Sequence, residues 1–333
     1  MTTGCAEPNH SFRLKTDTVM ITVTESVAVL VPCLNEEHAI GTVVRDFLAA
    51  IPGAVVYVYD NGSTDRTVDV ARQAGAIVRH EPLRGKGNVV RRMFADVDAD
   101  VFVIVDGDGT YDAAAAPQAI SMLLEQHADV VNCVRITDSP DAYRAGHRFG
   151  NSVLTGLVAF LFGNRLSDML TGYRVFSRRF VKTFPAQSTG FEIETELTIH
   201  MLEMRCHCLE LPTRYAARPE GSASKLNTVR DGVRILRTIL YLLKEERPLL
   251  FFSSLFAVLA ATSIILAWPV VVEFLRTGLV RRFPTAILAS ALMLLAFMML
   301  TSGLVLDTVT SGRRESKRLW FLNVAARPGR TER

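Results

Sequence analysis

Apolar runs alternate with amphipathic segments along the first half of the chain. Five short apolar runs predict buried strands: Val27–Val31, Val55–Tyr59, Ala76–Arg79, Val101–Val105 and Val130–Val134. Between them, apolar residues recur at helical spacing, which predicts helices at Ile40–Leu48, Thr64–Gln73, Gly87–Ala95 and Ala115–His127. Strands separated by helices of this length predict an α/β fold with a mainly parallel sheet.

Two long apolar stretches without a charge follow in the second half, at residues 249–272 and 284–306. At about 1.5 Å per helical residue, each can cross a hydrocarbon core of about 30 Å. Buried helices of a soluble protein are the alternative, but two spans in succession favour membrane helices.

Before these two stretches, the segment Thr228–Leu243 combines an apolar face with arginines at other positions. This pattern is typical of a helix at a membrane interface, and a helix that packs against its own domain is the alternative.

Charge and cysteine content narrow the possible classes. With 37 basic and 34 acidic residues the net charge is only +3, so nothing predicts a nucleic-acid partner. Five cysteines without paired spacing argue against a disulfide framework. The N-terminus lacks a signal-peptide pattern. Basic residues flank the apolar pair on both terminal sides, so the positive-inside rule places both termini and the α/β region in the cytoplasm.

Polar loops follow three of the predicted strands, at Pro32–Glu37, Asp60–Asp65 and Asp106-Gly107-Asp108. The carboxyl ends of parallel strands meet at one edge of a sheet, where open α/β folds bind ligands. Two carboxylates separated by a glycine are hard oxygen donors that suit Mg²⁺ or Mn²⁺ carrying a diphosphate. Taken singly, the first two loops are equally well explained by helix capping and ordinary turns.

Together and in this order, the three loops resemble those of family 2 glycosyltransferases, whose nucleotide-sugar domain has the GT-A fold. The resemblance implies a Mg²⁺ or Mn²⁺ cofactor, with Asp108 as the main metal ligand and Asp106 near both the ribose and the metal. It also implies that the donor nucleotide contacts Pro32, Asn35, Glu36, Asp60, Asn61, Lys86 and Asp106.

Further segments resemble the polyprenyl-phosphate sugar transferases of this family, such as dolichol-phosphate mannosyltransferases and bacterial undecaprenyl-phosphate glucosyltransferases. Leu83–Gly87 is similar to their Gly-Lys-Gly segment, in which the lysine borders the nucleotide. Ser167–Arg174, Thr189–Glu194 and Gly221–Leu226 also have counterparts there. The resemblance covers roughly Val27–Leu243, and the two-helix tail looks like the membrane anchor of the bacterial branch.

Two departures from the family pattern refine this interpretation. Gly109-Thr110 follows Asp108, where Leu-Gln or Leu-Ser is usual, so a further side-chain ligand for the metal is left open. The Gln-x-x-Arg-Trp segment of processive polysaccharide synthases is missing from the sequence. Transfer of a single sugar is therefore expected rather than polymer synthesis.

A lipid-phosphate acceptor is anionic and requires positive charge for binding. The candidates for this role are Arg174, Arg218 and Lys225, with Arg144 and Arg148 as further possibilities; a surface charge or an ion pair is the alternative for each. Asp168 is expected to act as a base, to orient the acceptor or to cap a helix. We interpret Glu192 and Glu194 as structure on the acceptor side.

The expected organisation is an N-terminal extension (residues 1–26), a GT-A domain (27–227), an amphipathic interface helix (228–248), a transmembrane hairpin (249–306) and a basic cytoplasmic tail (307–333). Residues 135–219 are expected to be less regular. The sequence thus predicts an enzyme of the cell membrane that moves one sugar from a UDP- or GDP-linked donor to polyprenyl phosphate. A transferase for a glycolipid or a soluble hydroxyl acceptor and a non-catalytic scaffold are the alternatives, and a homo-oligomer is compatible with this reading.

Overall fold

The structure is a computed structural model that describes residues 12–16, 19–23, 25–136, 156, 167–216, 236–237, 240–241, 243–245 and 247–324. The chain forms two compact units. One comprises residues 1–236 and 319–333, and the other comprises residues 237–318. The predicted interface helix at 228–248 lies largely outside the described residues.

The first unit contains a seven-stranded mixed sheet. In chain order its strands are β3 (Val27–Cys33), β4 (Val55–Asp60), β5 (Ile77–His80), β6 (Val101–Ile104), β7 (Val130–Ile136), β8 (Arg174–Ser177) and β9 (Cys208–Arg214). Their order across the sheet is β5-β4-β3-β6-β8-β7-β9. The strands β5, β4, β3 and β6 pair in parallel, β8 is antiparallel to both β6 and β7, and β7 pairs with β9 in parallel.

Helices cover both faces of this sheet. They are α1 (Ile40–Ala50), α2 (Thr67–Gln73), α3 (Lys86–Asp96), α4 (Ala116–Glu125), α5 (Arg178–Thr183) and α6 (Ile193–Met204), with a 3₁₀ turn at Ala113–Ala115. On β3, Val29 and Val31 point into one core with α1 and α4, whereas Ala28 and Leu30 point into a second core with α3, α5 and α6. Covering on both faces explains why β3 is a continuous apolar run instead of an alternating one.

The five strands and four helices predicted for residues 27–134 are confirmed, with bounds that differ by a few residues. The mainly parallel α/β fold is confirmed as well. The prediction of a less regular region at 135–219 is wrong for its described part, which holds β8, α5, α6 and β9. Sequence pattern misses β8 because Arg174 and Ser177 leave it only two consecutive apolar residues. It misses α6 because burial on nearly all sides removes the amphipathic period of that helix.

Before the sheet, Phe12–Thr16 and Val19–Val23 form an antiparallel pair, β1 and β2. The sequence predicts only an extension here. Alternation of polar and apolar residues over so short a stretch is a weak strand signal, and the chain offers no second feature that marks this hairpin.

Two long helices follow, α7 (Pro248–Thr277) and α8 (Phe283–Asn323). Both are long and apolar enough to cross a membrane. Within the second unit, the Ser263 hydroxyl of α7 donates to the Ala289 carbonyl of α8 over 2.7 Å. The helix α8 continues well past the apolar stretch predicted at 284–306, so the described part of the basic tail is helical up to Asn323.

Candidate active site

The three polar loops meet at one edge of the sheet because the strands before them are neighbours. Cys33 at the end of β3 is in register with Asp60 at the end of β4. On the other side of β3, the Val105 amide donates to the Leu30 carbonyl over 3.1 Å. Asp106 and Asp108 therefore follow β6 at the edge where the first two loops begin.

Gly107, between the two acids, is required by a close approach. A Cβ at this position would lie 2.5 Å from the Cys33 sulfur and 3.3 Å from a Val31 methyl. The acidic loop thus runs directly over the end of β3, and a side chain at Gly107 would displace it from that strand.

The first two loops are joined by hydrogen bonds. The Asn35 side-chain oxygen accepts from the Thr64 amide at 2.7 Å, and the Asn35 amide donates to the Ser63 hydroxyl at 2.8 Å. The Glu36 amide donates to Thr67 Oγ1 at 2.8 Å. Asn35 is held with a positive φ of 53°. The two loops therefore form one framework, and Pro32 enters it as the second-last residue of β3.

Asp60 is buried at the centre of this framework. Its carboxylate accepts from the Ser63 amide at 3.0 Å and the Gly62 amide at 3.1 Å, and His80 Nδ1 lies 3.2 Å from its Oδ2. Burial acts to raise the pKa of Asp60, but the hydrogen bonds from Ser63, Gly62 and His80 outweigh it and hold the pKa below its ordinary value. Asp60 is a fixed carboxylate, and His80 is a neighbour that the sequence did not associate with it.

Asn61 connects the second loop to the segment around Lys86. Its amide group donates to the carbonyls of Glu81 and Leu83 at 2.9 and 2.8 Å, and its oxygen accepts from the Gly85 amide at 2.7 Å. This side chain is therefore committed to positioning the backbone that leads into α3.

Lys86 at the start of α3 links two carboxylates from distant parts of the chain. Its ammonium lies 2.5 Å from Asp106 Oδ1 and 2.6 Å from Glu194 Oε1. Burial acts to lower the pKa of Lys86, but the charges of Asp106 and Glu194 outweigh it and raise the pKa above its ordinary value. The pKa of Glu194 is raised by burial, against the opposing charge of Lys86. The structure brings Lys86 and Asp106, which are both predicted to border the nucleotide, next to each other and adds Glu194 to the pair.

The two acids of the loop have different surroundings. Asp108 is buried and its Oδ1 accepts from the Thr110 hydroxyl at 2.6 Å and the Thr110 amide at 3.2 Å. Asp106 has a side chain that is 28% exposed. Within the described ranges, no group of three or more His, Cys, Asp or Glu side chains could hold a metal. A pair of carboxylates fits Mg²⁺ or Mn²⁺, because such ions take their other ligands from phosphate and water.

The thiols near β9 do not offer a second metal centre. Burial raises the pKa of Cys206 and of Cys208 to about 12. Among the residues that the structure describes, these two thiols belong to no group of three or more possible metal ligands.

The segment Ser167–Arg174 packs directly against the acidic loop. A Cβ on Gly172 would overlap the Asp106 carboxylate, which shows how closely that backbone approaches. The Gly172 amide donates to the Tyr111 hydroxyl at 2.8 Å. Tyr111, to which sequence reasoning gave no role, thus ties the loop of Asp106 to this segment.

Asp168 is occupied by an ion pair with Arg135. Arg135 Nε and a second guanidinium nitrogen donate to the two oxygens of Asp168 at 2.6 and 2.8 Å, and both side chains are largely buried. Asp168 Oδ1 also accepts from the Leu170 amide at 3.2 Å. This geometry favours an orienting role over that of a base. Arg135 was missed because β7 was predicted to end at Val134, and nothing in the sequence marks its pairing.

Arg174 differs from the expectation for a phosphate-binding residue. It is 3% exposed on β8 and donates to the Met169 carbonyl at 2.6 Å and to the Thr198 hydroxyl at 2.9 Å. Burial lowers the pKa of Arg174 from its ordinary value. Its guanidinium thus donates to protein groups in the structure, and contact with an acceptor phosphate stays a prediction for Arg174. The other candidates for the acceptor phosphate, Arg144, Arg148, Arg218 and Lys225, lie outside the described residues.

The matching family model and two relatives of this chain are named as sugar transferases. The glycosyl transferase family 2 model matches residues 28–184. Glycosyltransferase AglJ from Haloferax volcanii is 32% identical over 292 residues, which is 87% of this chain and 96% of the relative. A dolichyl-phosphate hexose transferase from the same organism is 30% identical over 224 residues, 67% of this chain and 96% of the relative.

A solved structure shares the fold. Glucosyl-3-phosphoglycerate synthase from Mycobacterium tuberculosis, in complex with Mn²⁺, UDP and glucosyl-3-phosphoglycerate, aligns with a TM-score of 0.54 at 23% identity. The alignment covers 66% of this chain and 79% of that chain. The loops, the sheet and the relatives agree, and the chain belongs to glycosyl transferase family 2.

Proposed function

We propose that this glycosyltransferase moves one sugar from a nucleotide-linked donor to a polyprenyl phosphate, with a divalent cation bound at Asp106 and Asp108. The observation that carries the proposal is the Asp106–Lys86 pair at the meeting point of three loops, in a chain that also holds two helices able to cross a membrane. In this proposal the unit with the sheet holds the nucleotide, and the two helices keep the enzyme in the membrane that contains its lipid substrate.

The donor side rests on the framework around Asp60. Asn35, Glu36, Asp60 and Asn61 are held by short hydrogen bonds at the carboxyl ends of β3 and β4. The edge at the carboxyl ends of the strands is the usual place for a nucleotide in an open α/β sheet. We assign Asn35, Glu36 and Asp60, with Pro32, to contacts with the nucleoside of a UDP- or GDP-linked sugar, and Asn61 to fixing the backbone beside that nucleoside.

Charge stabilisation at the leaving group is the chemical core of the proposal. A divalent cation at Asp106 and Asp108 would offset the negative charge that develops on the diphosphate as the anomeric bond breaks. Lys86 contributes a buried positive charge beside Asp106, and the burial strengthens its electrostatic effect.

The acceptor side follows from the chemistry of a lipid phosphate. Such a nucleophile is already ionised near neutral pH and requires little help from a base. The ion pair of Asp168 with Arg135 agrees with a reaction that needs little base catalysis. A carboxylate held at 2.6 and 2.8 Å by a guanidinium is suited to fixing the surrounding backbone and not to removing a proton. Support for the lipid also comes from the relative named as a dolichyl-phosphate hexose transferase.

We further propose that α7 and α8 anchor the protein in the cell membrane with the catalytic unit in the cytoplasm. Basic residues at the two outer ends of the helical pair support this orientation. It places the site on the side where nucleotide sugars are made.

The test is a comparison of acceptors with the full chain in detergent or liposomes. Labelled UDP- and GDP-sugars are supplied with Mg²⁺ and with polyprenyl phosphate, a glycolipid or a soluble hydroxyl acceptor. We expect label in a chloroform-soluble product only with polyprenyl phosphate. If label appears only on the glycolipid or only on the soluble acceptor, polyprenyl phosphate is not the acceptor. If no donor gives any transfer, the result favours a non-catalytic scaffold.

A further inference from the structure

Lys86 is fixed against the segment that carries Glu194. The amides of Gly87 and Asn88, directly after Lys86, donate to the Thr189 carbonyl at 3.1 and 3.4 Å. Glu194 lies in the first turn of α6, where its carbonyl accepts from the Thr198 hydroxyl at 3.0 Å. The ammonium of Lys86 and the carboxylate of Glu194 are therefore held together by the backbone on both sides.

One positive charge is shared between two carboxylates of unequal exposure. The side chains of Lys86 and Glu194 are 9% and 13% exposed, whereas that of Asp106 is 28% exposed. A cation that arrives from solvent thus meets Asp106 before Glu194. Were Asp106 the sole partner of Lys86, the ammonium and an incoming cation would compete for one carboxylate.

We propose that Glu194 is a positioning residue that shares the Lys86 ammonium and so leaves the Asp106 carboxylate able to accept a divalent cation. The inference rests on the proposed function, because it takes Asp106 as a metal ligand. It assigns Glu194 to the donor side of the site, in contrast to the acceptor-side role expected from its sequence neighbours. Glu194 acts through Lys86 and is not itself a ligand.

The probe is Mn²⁺ alone, with binding measured by the loss of its free electron paramagnetic resonance signal. In Glu194→Gln the ammonium keeps a single charged partner, Asp106. Mn²⁺ then competes with the full ammonium charge for that carboxylate, and we expect the substitution to weaken Mn²⁺ binding about fivefold. Glu194→Asp keeps the charge and should recover part of the loss.

A second substitution separates positioning from ligation. Adding Lys86→Met to Glu194→Gln removes the competing ammonium, and it replaces a buried ion pair by neutral side chains, which proteins commonly tolerate. We expect Mn²⁺ affinity to return to that of the unaltered chain or above it. If Glu194 were a ligand, the double variant would bind Mn²⁺ clearly more weakly than Lys86→Met alone, and the inference would be overturned.

Glu196→Gln is the matched control. Glu196 lies on the same helix at similar burial, but its carboxylate accepts from the amides of Gln187 and Ser188 at 2.8 and 2.7 Å. It should leave Mn²⁺ affinity within about twofold of the original value. If the unaltered chain binds Mn²⁺ and transfers sugar but Glu194→Gln has the same Mn²⁺ affinity, the inference is overturned while the proposed function stands. Absence of Mn²⁺ binding by the unaltered chain contradicts the proposed function as well.

Discussion

At the scale of single residues, the site depends on contacts of side chains and glycines with residues that are distant in the sequence. The acids of the loop could be picked out from sequence because they follow a recognisable strand, and Lys86 because Leu83–Gly87 resembles a family segment; their roles stay predictions. Glu194 and Arg135 could not be, because their partners are 108 and 33 positions away. Sequence pattern reports local periodicity, whereas these pairs depend on which segments the fold brings together.

Gly172 gives a prediction at this scale. Gly172→Ala places a methyl group against the Asp106 carboxylate, so it should displace that carboxylate and weaken metal activation of sugar transfer by about tenfold or more. The measurement is the Mg²⁺ concentration for half-maximal activity. Gly312→Ala is the control, since a Cβ there meets nothing within 4 Å. An unchanged Mg²⁺ requirement in Gly172→Ala would show that the close approach is unimportant.

Asp60 gives a prediction of pH dependence. Its pKa in the folded chain lies below the ordinary 3.8, so its stabilising effect is present above about pH 4 and is lost as the pH falls through the lowered value. Asp60→Asn should therefore lower the melting temperature at pH 7, and the gap to the unaltered chain should shrink towards pH 3. Asp46→Asn, at an exposed position on α1, should show no such gap. A gap for Asp60→Asn that persists at pH 3 would contradict the role of its charge.

At the scale of elements, the sequence predicts the parallel half of the sheet well and the remainder poorly. The strands β3, β4 and β6 lie in uninterrupted apolar runs that are mostly buried, and their signal is strong. The strand β8 is short, runs antiparallel between β6 and β7, and starts with a buried arginine. Arginine is rarely buried, and the sequence analysis expected Arg174 in a less regular segment as a candidate for the acceptor phosphate, so the buried strand position could not be foreseen.

Arg174 tests this element directly. Arg174→Lys loses the planar guanidinium that reaches both Met169 and Thr198, and the unsatisfied groups should cost about 2 kcal/mol of stability. We expect a lower melting temperature with little change in the KM for polyprenyl phosphate. A raised KM with an unchanged melting temperature would instead restore the role in acceptor binding.

At the scale of the whole molecule, the chain combines a unit with the glycosyltransferase sheet and a unit with two long apolar helices. The division into units at residues 236–237 and 318–319 falls near the basic segments that flank α7 and α8. Self-association through the helices stays a prediction.

Membrane integration is the prediction at this scale. Ile265 lies within α7 and is 71% exposed, so Ile265→Arg should place a charge in the hydrocarbon core at a cost of about 3 kcal/mol. The fraction of protein that resists alkaline carbonate extraction should fall, whereas Ile265→Leu should leave it unchanged. Equal retention of the arginine variant would argue against a spanning helix.

The most direct measurement is metal-dependent transfer of labelled sugar to polyprenyl phosphate by the full chain and by Asp108→Asn. The matched control is Asp112→Asn, because Asp112 is exposed and only caps the turn at Ala114. The account predicts that chelation of the metal and Asp108→Asn each reduce transfer by at least about 100-fold, while Asp112→Asn retains it. Full transfer by Asp108→Asn, or by the unaltered chain with its metal removed, would contradict the central claim.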